Sequence, residues 1–320
     1  MSPFAMSWYT KAWRAGADAG HAVHRLDPPV CDSGGGRMSA PHVDRRAHDE
    51  AVDPDRRRGD DTALASEPRD TPLPAARLTL IVPCYNGGSR LARTLVKLDE
   101  WMRRQGNDVE LLLVDDGSCD ADARQLTEFC RRTRHAAVLR SEANRGKGDA
   151  VRRGMRAATG RYRIFTDADL AYPVSQIERI VAALDGGADV AIADRLDSQS
   201  QYTMSPRFIP YLFTRHVGSR IFNRIVQSVL LKGIEDTQAG LKGFRADAAD
   251  AIATRLSIDG FAFDIESLVI AQRHGFEIAQ VPVEFRYDDE PTTVRYVRDA
   301  WRMCRDVALI RLRAWRGAYD

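Results

Sequence analysis

Lysine is scarce in this chain. Of 47 basic residues among 320, only Lys11, Lys97, Lys147, Lys232 and Lys242 are lysines. Net charge is only +2, so no global positive field argues for nucleic acid, and no nucleic-acid partner is expected. Cysteines are few and unpatterned, at 31, 84, 119, 130 and 304, with no C-x-x-C pair. That excludes a disulfide framework and a zinc site, and reads as a reducing compartment. No apolar run approaches the roughly 20 residues needed to span a bilayer. The first residues hold no continuous apolar stretch of the secretory kind, so no leader is expected. What is present is 44% hydrophobic residues, enough to bury a full core in one large domain or two small ones. No internal repeat is visible.

Residues 1–76 differ from the rest. They contain Gly34-Gly35-Gly36, Arg56-Arg57-Arg58, many Asp and Pro, and no sustained apolar period. This reads as a disordered, solvated tail, with Met38 an internal alternative start. From Arg77 onward, short apolar runs alternate with segments of helical spacing. Strands are expected at Leu78–Val82, Glu110–Val114, Ala136–Leu139, Tyr162–Thr166 and Val190–Ala193. Helices are expected at Ser89–Arg104, 121–134, Gly146–Thr159 and Pro173–Leu184. Such alternation predicts an α/β fold: a mainly parallel, Rossmann-like sheet with helices on both faces, whose ligands bind at the carboxyl ends of the strands.

Polar motifs fall at those ends. The run Tyr162–Thr166 leads into Asp167-Ala168-Asp169, two carboxylates spaced i, i+2. Two hard oxygen donors at a crevice suit Mg2+ or Mn2+ held together with a substrate's phosphates. Asp115 and Asp116 end the second strand before a Gly-Ser turn; they suit ribose hydroxyls or a base N–H, with one of the two expected to cap the next helix. Asn144-Arg145-Gly146-Lys147-Gly148 opens a helix, where close backbone approach, the helix N-terminus and Lys147 all favour an anion. It is neither a P-loop nor a dinucleotide fingerprint, which argues against an NTPase and a dehydrogenase.

These motifs, with Val82-Pro83-Cys84-Tyr85-Asn86, resemble those of the family-2 nucleotide-sugar glycosyltransferases of the GT-A fold. Within that family the chain looks most like the dolichyl-phosphate glucosyltransferases, with the mannosyltransferases next. That likeness rests on Asp236-Thr237-Gln238-Ala239-Gly240-Leu241-Lys242-Gly243-Phe244, Phe261-Ala262-Phe263-Asp264-Ile265-Glu266 and Ile310-Arg311-Leu312-Arg313. The resemblance spans residues 77–318. It implies a nucleotide held by Pro83, Tyr85, Asn86, Asp115 and Asp116, a metal held by Asp167 and Asp169, and an inverting transfer; Lys147, by its charge, and Asp167, through the metal, are expected beside the nucleotide's diphosphate. Two departures stand out. Gly87 occupies a place that is usually acidic, and Ala193-Asp194-Arg195 replaces a usual Gly-Ser-Arg, so that Asp194 either orients Arg195 or weakens its hold on an anion.

The acceptor in the resembling enzymes is a lipid phosphate, whose second pKa near ~6 leaves it largely ionised at neutral pH. Cationic positioning groups then matter more than a general base. Arg195, Lys242 and Arg245 are the candidates, beside Asp169, for the catalytic set. Asp236, Gln238, Asp264 and Glu266 are secondary candidates; the last two alternate with Phe261, Phe263 and Ile265 as the polar face of an element.

Two segments carry apolar stripes edged by arginine. In 206–232 these are Ile221, Phe222, Ile225, Val226, Val229 and Leu230, flanked by Arg215, Arg220 and Arg224. In 288–320 they are Val294, Val297, Trp301, Cys304, Ala308, Leu312 and Trp315, beside Arg295, Arg298, Arg302 and Arg305. Such helices suit an anionic membrane surface. The expected organisation is therefore a tail (1–76), a GT-A domain (77–287) containing an interfacial helix, and a C-terminal amphipathic helix (288–320). The expected activity is transfer of glucose from UDP-glucose to a polyprenyl phosphate, by a cytoplasmic enzyme on the inner membrane face. Alternatives are GDP-mannose as donor, a polysaccharide acceptor and a non-catalytic nucleotide-sugar-binding module.

Overall fold

The computed structural model describes residues 76–204, 222–287 and 296–320. Alternation of apolar runs and amphipathic segments gives β1 (Leu78–Cys84), α1 (Ser89–Gln105), β2 (Val109–Asp115), α2 (Asp120–Arg132), β3 (Ala136–Arg140) and α3 (Lys147–Ala157). It continues through β4 (Tyr162–Thr166), α4 (Gln176–Asp185) and β5 (Val190–Asp194). These are the expected elements, with ends displaced by a few residues. Then follow β6 (Gln201–Met204), α5 (222–229), β7 (Leu241–Arg245), α6 (Ala246–Arg255), α7 (Phe263–Arg273), β8 (Ile278–Pro282), β9 (Glu284–Tyr287) and α8 (Tyr296–Trp315).

Seven strands form one sheet in the order β3-β2-β1-β4-β7-β5-β8, and β6 pairs with β9 in a separate parallel ribbon. Every neighbour in the large sheet is parallel except β7, which runs antiparallel to both β4 and β5. The mainly parallel sheet is thus as expected, with one reversed strand beside the central β4.

Strands covered on both faces need apolar residues on both, and period-2 alternation sorts them. Ile81, Leu112, Val114, Phe165 and Phe244 belong to the core cluster that includes α3, α6 and α7. Leu80, Val82, Leu111, Leu113 and Ile164 belong to the other, beneath Leu91, Leu95 and Leu98 of α1 and Ile177 and Ile180 of α4. Each such side chain contributes about 1.5–3 kcal/mol by burial. This double cover makes the sheet a rigid base and leaves the carboxyl ends of its strands for function.

Ala76, placed in the tail on sequence grounds, belongs to the fold: it is buried, and its carbonyl accepts the Arg161 N–H at 3.0 Å. The rest of the expected tail, residues 206–221 of the expected interfacial segment and residues 288–295 lie outside the described residues. Among the described residues no helix is long and apolar enough to cross a membrane. In α8 the apolar residues divide between two faces. Val307, Ile310 and Ala314 pack on the core. Cys304, Ala308, Leu312 and Trp315 point outward with exposed arginines at 302, 305, 311 and 316. In α5, Val226 is buried while Ile225 and Val229 are exposed, so the expected single stripe is split between core and surface.

Candidate active site

The crevice begins where β1 and β2 end side by side, with Cys84 in register with Asp115. Past β1 the chain turns through Pro83, Tyr85 and Asn86. Asn86 adopts a positive φ of 45°, a conformation asparagine tolerates better than most residues. Its N–H donates to Ser118 Oγ at 3.0 Å, and its Oδ1 accepts the Cys119 N–H at 2.9 Å. These bonds lock the two turns together, while Tyr85 stands half exposed above them.

Asp115 is fully buried. Its Oδ1 accepts the Ser118 N–H at 2.9 Å, and Arg140, its register partner at the end of β3, lies 3.5 Å from Oδ2. Asp116 accepts the Arg145 and Gly146 N–H groups at 3.0 and 2.8 Å. Burial nonetheless holds its carboxyl above the usual range. Neither aspartate caps α2, which starts after Cys119 with no side-chain cap; that expectation is corrected. Asp116 instead anchors the loop that opens α3. At the position where an acid was missing beside Gly87, the Gly88 N–H finds Asp122 Oδ2 at 3.0 Å. Sequence reading missed Asp122 and Arg140. The signals were an acid in the first turn of the next helix and an arginine closing a strand.

At the end of β4, Asp167 and Asp169 emerge at the sheet's centre. Lys147 Nζ sits 2.6 Å from Asp167 Oδ1 and 3.9 Å from Asp264 Oδ2. Asp264 in turn pairs with Lys242, which also donates to the Ala239 carbonyl at 2.7 Å. A chain of alternating charge, Asp167–Lys147–Asp264–Lys242, thus runs from the crevice into the protein. It passes beside Phe165, whose ring lies 5.8 Å from Lys147 Nζ and 5.6 Å from Lys242 Nζ. Loss of water pulls the Lys147 ammonium down most, but Asp167 and Asp264 together outweigh it and leave its pKa raised. For Lys242, with no exposed side-chain surface, burial wins over Asp264 and the pKa is lowered.

The antiparallel entry of β7 brings Lys242 here, because Leu241 pairs with Thr166. Gly240 makes the close approach possible: a Cβ there would lie 2.0 Å from Asp167 Oδ2. Asp169 reaches the surface and accepts the Ala171 N–H at 3.0 Å. The surrounding protein first, and Asp167's charge second, raise its carboxyl pKa.

Arg195, just past β5, is held by Asp236 through Nε at 2.6 Å and Nη2 at 2.8 Å. Burial opposes its charge, yet Asp236 keeps it firmly protonated, and Arg195 in return lowers the Asp236 carboxyl despite its burial. Asp194, expected to act on Arg195, instead accepts the Leu196 N–H at 2.8 Å. Gln238 donates its backbone N–H to Asp236 and reaches Met303 of α8.

Three candidates are corrected. Lys242, expected to meet the acceptor phosphate, has no exposed side-chain surface, because β7 carries it beneath the crevice onto Asp264 and the Ala239 carbonyl. Arg245 pairs with Tyr162 at the opposite end of β4 and faces Asp189, because the reversed strand carries it away from the crevice. Glu266 is fully buried and bonded to Ser257, Ile258 and Tyr319, behind the site rather than in it.

Among the described residues no group of three or more His, Cys, Asp or Glu side chains gathers as a metal cage. The protein's own donors are the Asp167 and Asp169 carboxylates. This pair fits a hard divalent cation that takes its remaining oxygens from a diphosphate. Two crowded carboxylates, one with a raised pKa, gain from a cation between them, and Lys147 shows that a positive charge is accommodated there.

A mainly parallel sheet with carboxylates at its strand mouths, and an i, i+2 aspartate pair facing a lysine, defines a glycosyltransferase of GT-A type. The chain belongs to glycosyl transferase family 2, whose description matches residues 79–253. It is similar to the dolichyl-phosphate beta-glucosyltransferase of Dictyostelium discoideum, 29% identical over 255 residues that cover 78% of each chain. It is also similar to the undecaprenyl-phosphate 4-deoxy-4-formamido-L-arabinose transferase of Klebsiella pneumoniae, 31% identical over 180 residues, 56% of this chain and 52% of that one. Among solved structures, glucosyl-3-phosphoglycerate synthase from Mycobacterium tuberculosis, in complex with Mn2+, UDP-glucose and phosphoglyceric acid, shares the fold. The TM-score is 0.52 at 16% identity, covering 75% of this chain and 79% of that one.

Proposed function

We propose that this glycosyltransferase moves glucose from UDP-glucose to a dolichyl-type polyprenyl phosphate, with inversion, on the cytoplasmic face of a membrane. The observation that carries the reading is the Asp167–Lys147 pair at the strand mouth, beside Asp169. It offers a diphosphate one cation from the protein and two carboxylates for another. The name of the Dictyostelium relative supports the sugar and the lipid phosphate. The solved neighbour's Mn2+ and UDP-glucose support the donor and the metal.

The roles follow from the residues. The turns at Pro83–Asn86 and Asp115–Asp116 hold the nucleoside. Lys147 leaves Asp167 to take the diphosphate, and so offsets charge as the C1–O bond to the leaving group breaks. Asp167 and Asp169 would hold a divalent cation, which would supply further neutralisation of that charge. The acceptor phosphate oxygen attacks C1 from the opposite face and is ionised already, so no base is required. Arg195, with Nε and Nη2 committed to Asp236, presents its Nη1 side to the acceptor phosphate. Lys242, too deep to touch substrate, tunes the site through Asp264. The outward apolar residues of α5 and α8, edged by arginine, rest on the lipid surface.

The test is to incubate the purified protein with Mn2+, a polyprenyl phosphate and radiolabelled UDP-glucose or GDP-mannose in separate reactions. Organic-phase label from UDP-glucose is expected. Label from GDP-mannose alone changes the donor, and no lipid-phase label from either overturns the lipid acceptor. Asp169→Asn is expected to abolish turnover, and full activity at unchanged Mn2+ dependence would remove that residue from the site.

A further inference from the structure

The Glu266 carboxylate is fully buried, yet it lies in no crevice. Its Oε2 accepts the Ser257 and Ile258 backbone N–H groups at 3.0 and 2.8 Å. Its Oε1 accepts the Ser257 hydroxyl at 2.5 Å and the Tyr319 hydroxyl at 2.7 Å. Arg313 lies 3.6 Å from Oε1 and also donates to Ser257 Oγ. One carboxylate therefore holds three places together: helix α7, the loop after α6, and the chain just beyond α8.

That loop continues directly to the donor side of the site. The Asp259 carbonyl accepts the Gly148 N–H at 2.7 Å, an orphan donor in the first turn of α3. Arg152 of α3 reaches back to the Asp259 carboxylate at 3.0 Å and to the Leu256 carbonyl at 3.3 Å. The approach is so close that a Cβ on Gly148 would lie 2.3 Å from the Ile258 carbonyl. Residues 256–259 are thus the wall against which Gly146-Lys147-Gly148 is set. Whatever fixes this wall also fixes the origin of the Lys147 side chain.

We infer that Glu266 and Tyr319 are positioning residues for Lys147, and that residues past the end of α8 are in this way a structural part of the donor-diphosphate site. The inference rests on the diphosphate role given to Lys147 above. Four hydrogen bonds converge on one buried carboxylate, two of them from backbone N–H groups that have no reason to be held so firmly in an ordinary surface loop. Bonds to a charged partner are about twice as strong as neutral ones. Removing Tyr319's hydroxyl leaves a buried carboxylate short of a donor, and the wall it holds is released toward α3. In Glu266→Gln, the amide oxygen accepts the backbone N–H pair and the amide NH2 donates to the two hydroxyls, so the charge assistance of all four bonds is lost.

The effect belongs to the donor. Glu266 and Tyr319 touch neither Arg195 nor Asp236, so the acceptor side is expected to be untouched. The measurement is binding of UDP-glucose with Mn2+ by calorimetry, and KM for UDP-glucose and for polyprenyl phosphate separately, in wild type, Tyr319→Phe and Glu266→Gln. Tyr319→Phe is expected to weaken UDP-glucose binding by roughly tenfold, the value of one charge-assisted hydrogen bond, with the lipid-phosphate KM unchanged. Glu266→Gln is expected to do the same to a larger degree. Folded Tyr319→Phe that binds UDP-glucose as wild type overturns the inference, as do equal losses on both substrates with a lowered Tm, which mark general destabilisation. If Glu266→Gln does not fold, Tyr319→Phe decides alone. Wild type that binds no UDP-glucose strikes the functional reading instead, so the two failures are distinguishable.

Discussion

At the residue scale, the most exacting feature is the Lys242–Asp264 pair. Lys242 has no exposed side-chain surface and Asp264 has almost none. Removing one member of a buried pair leaves an uncompensated charge, at a cost of about 3–5 kcal/mol, whereas replacing both by apolar residues is often neutral. Lys242→Met is therefore expected to lower the urea midpoint strongly, and Lys242→Met with Asp264→Leu to recover most of it. A double variant as unstable as the single one would make the pair a local contact and no more. Single residues were legible where a strand ending delivered them. Asp115, Asp116, Asp167 and Lys147 all sit at the crevice because an apolar run stops just before them or a glycine turn opens beside them. Asp264 looked like half of a polar face with Glu266, and only packing separates them, one toward Lys242 and the other toward Ser257. Asp236 offered no sign that it would hold Arg195, since their pairing joins segments about forty residues apart.

At the scale of elements, the first five strands and four helices could be read because period and turn chemistry agree. The reversed β7 could not be. Leu241-Lys242-Gly243-Phe244-Arg245 carries no mark of direction, and a parallel β7 would have put Arg245 at the crevice in place of Lys242. α8 is a different case, because its pattern allows two faces and the structure uses both. Among the described side chains, Trp315, 77% exposed, is the largest apolar one on its outward face. If that face rests on lipid, Trp315→Asp is expected to weaken binding to anionic vesicles by roughly tenfold or more, since an aromatic anchor is exchanged for a repelled charge. Tm should stay within about 2 °C, as surface changes seldom move stability by more than ~0.5 kcal/mol. Co-sedimentation with phosphatidylserine vesicles measures it, and equal binding by both proteins would remove α8 from the interface.

Over the whole molecule, the carboxylates pull stability in two directions with pH. Burial raises the Asp116 and Asp194 carboxyls above the ordinary 3.8. Their protonation favours the folded chain, so their share of stability grows as pH falls through their folded values toward 3.8. Asp236 is lowered beneath 3.8 by Arg195, and its contribution, fully present above that value, is lost as pH falls through the folded one. Denaturation followed from pH 7 to about 2 is therefore expected to show a shoulder at mildly acid pH before a fall that sets in below 3.8. Asp236→Asn should lower stability at neutrality and flatten the fall. A steady decline from pH 7 in both proteins would contradict these assignments.

The burial of Lys147 and Lys242 in a chain with so few lysines also makes the native protein a ready-made chemical footprint. Lys97 and Lys232 are exposed, Lys147 keeps 19% of its side-chain surface and Lys242 keeps none. An acylating reagent in limiting amount should mark the first two quickly, Lys147 slowly and Lys242 only on unfolding. Mass spectrometry of the labelled peptides would then read occupancy of the donor pocket from one amine, as protection of Lys147 by UDP-glucose, with Lys97 as the internal clock.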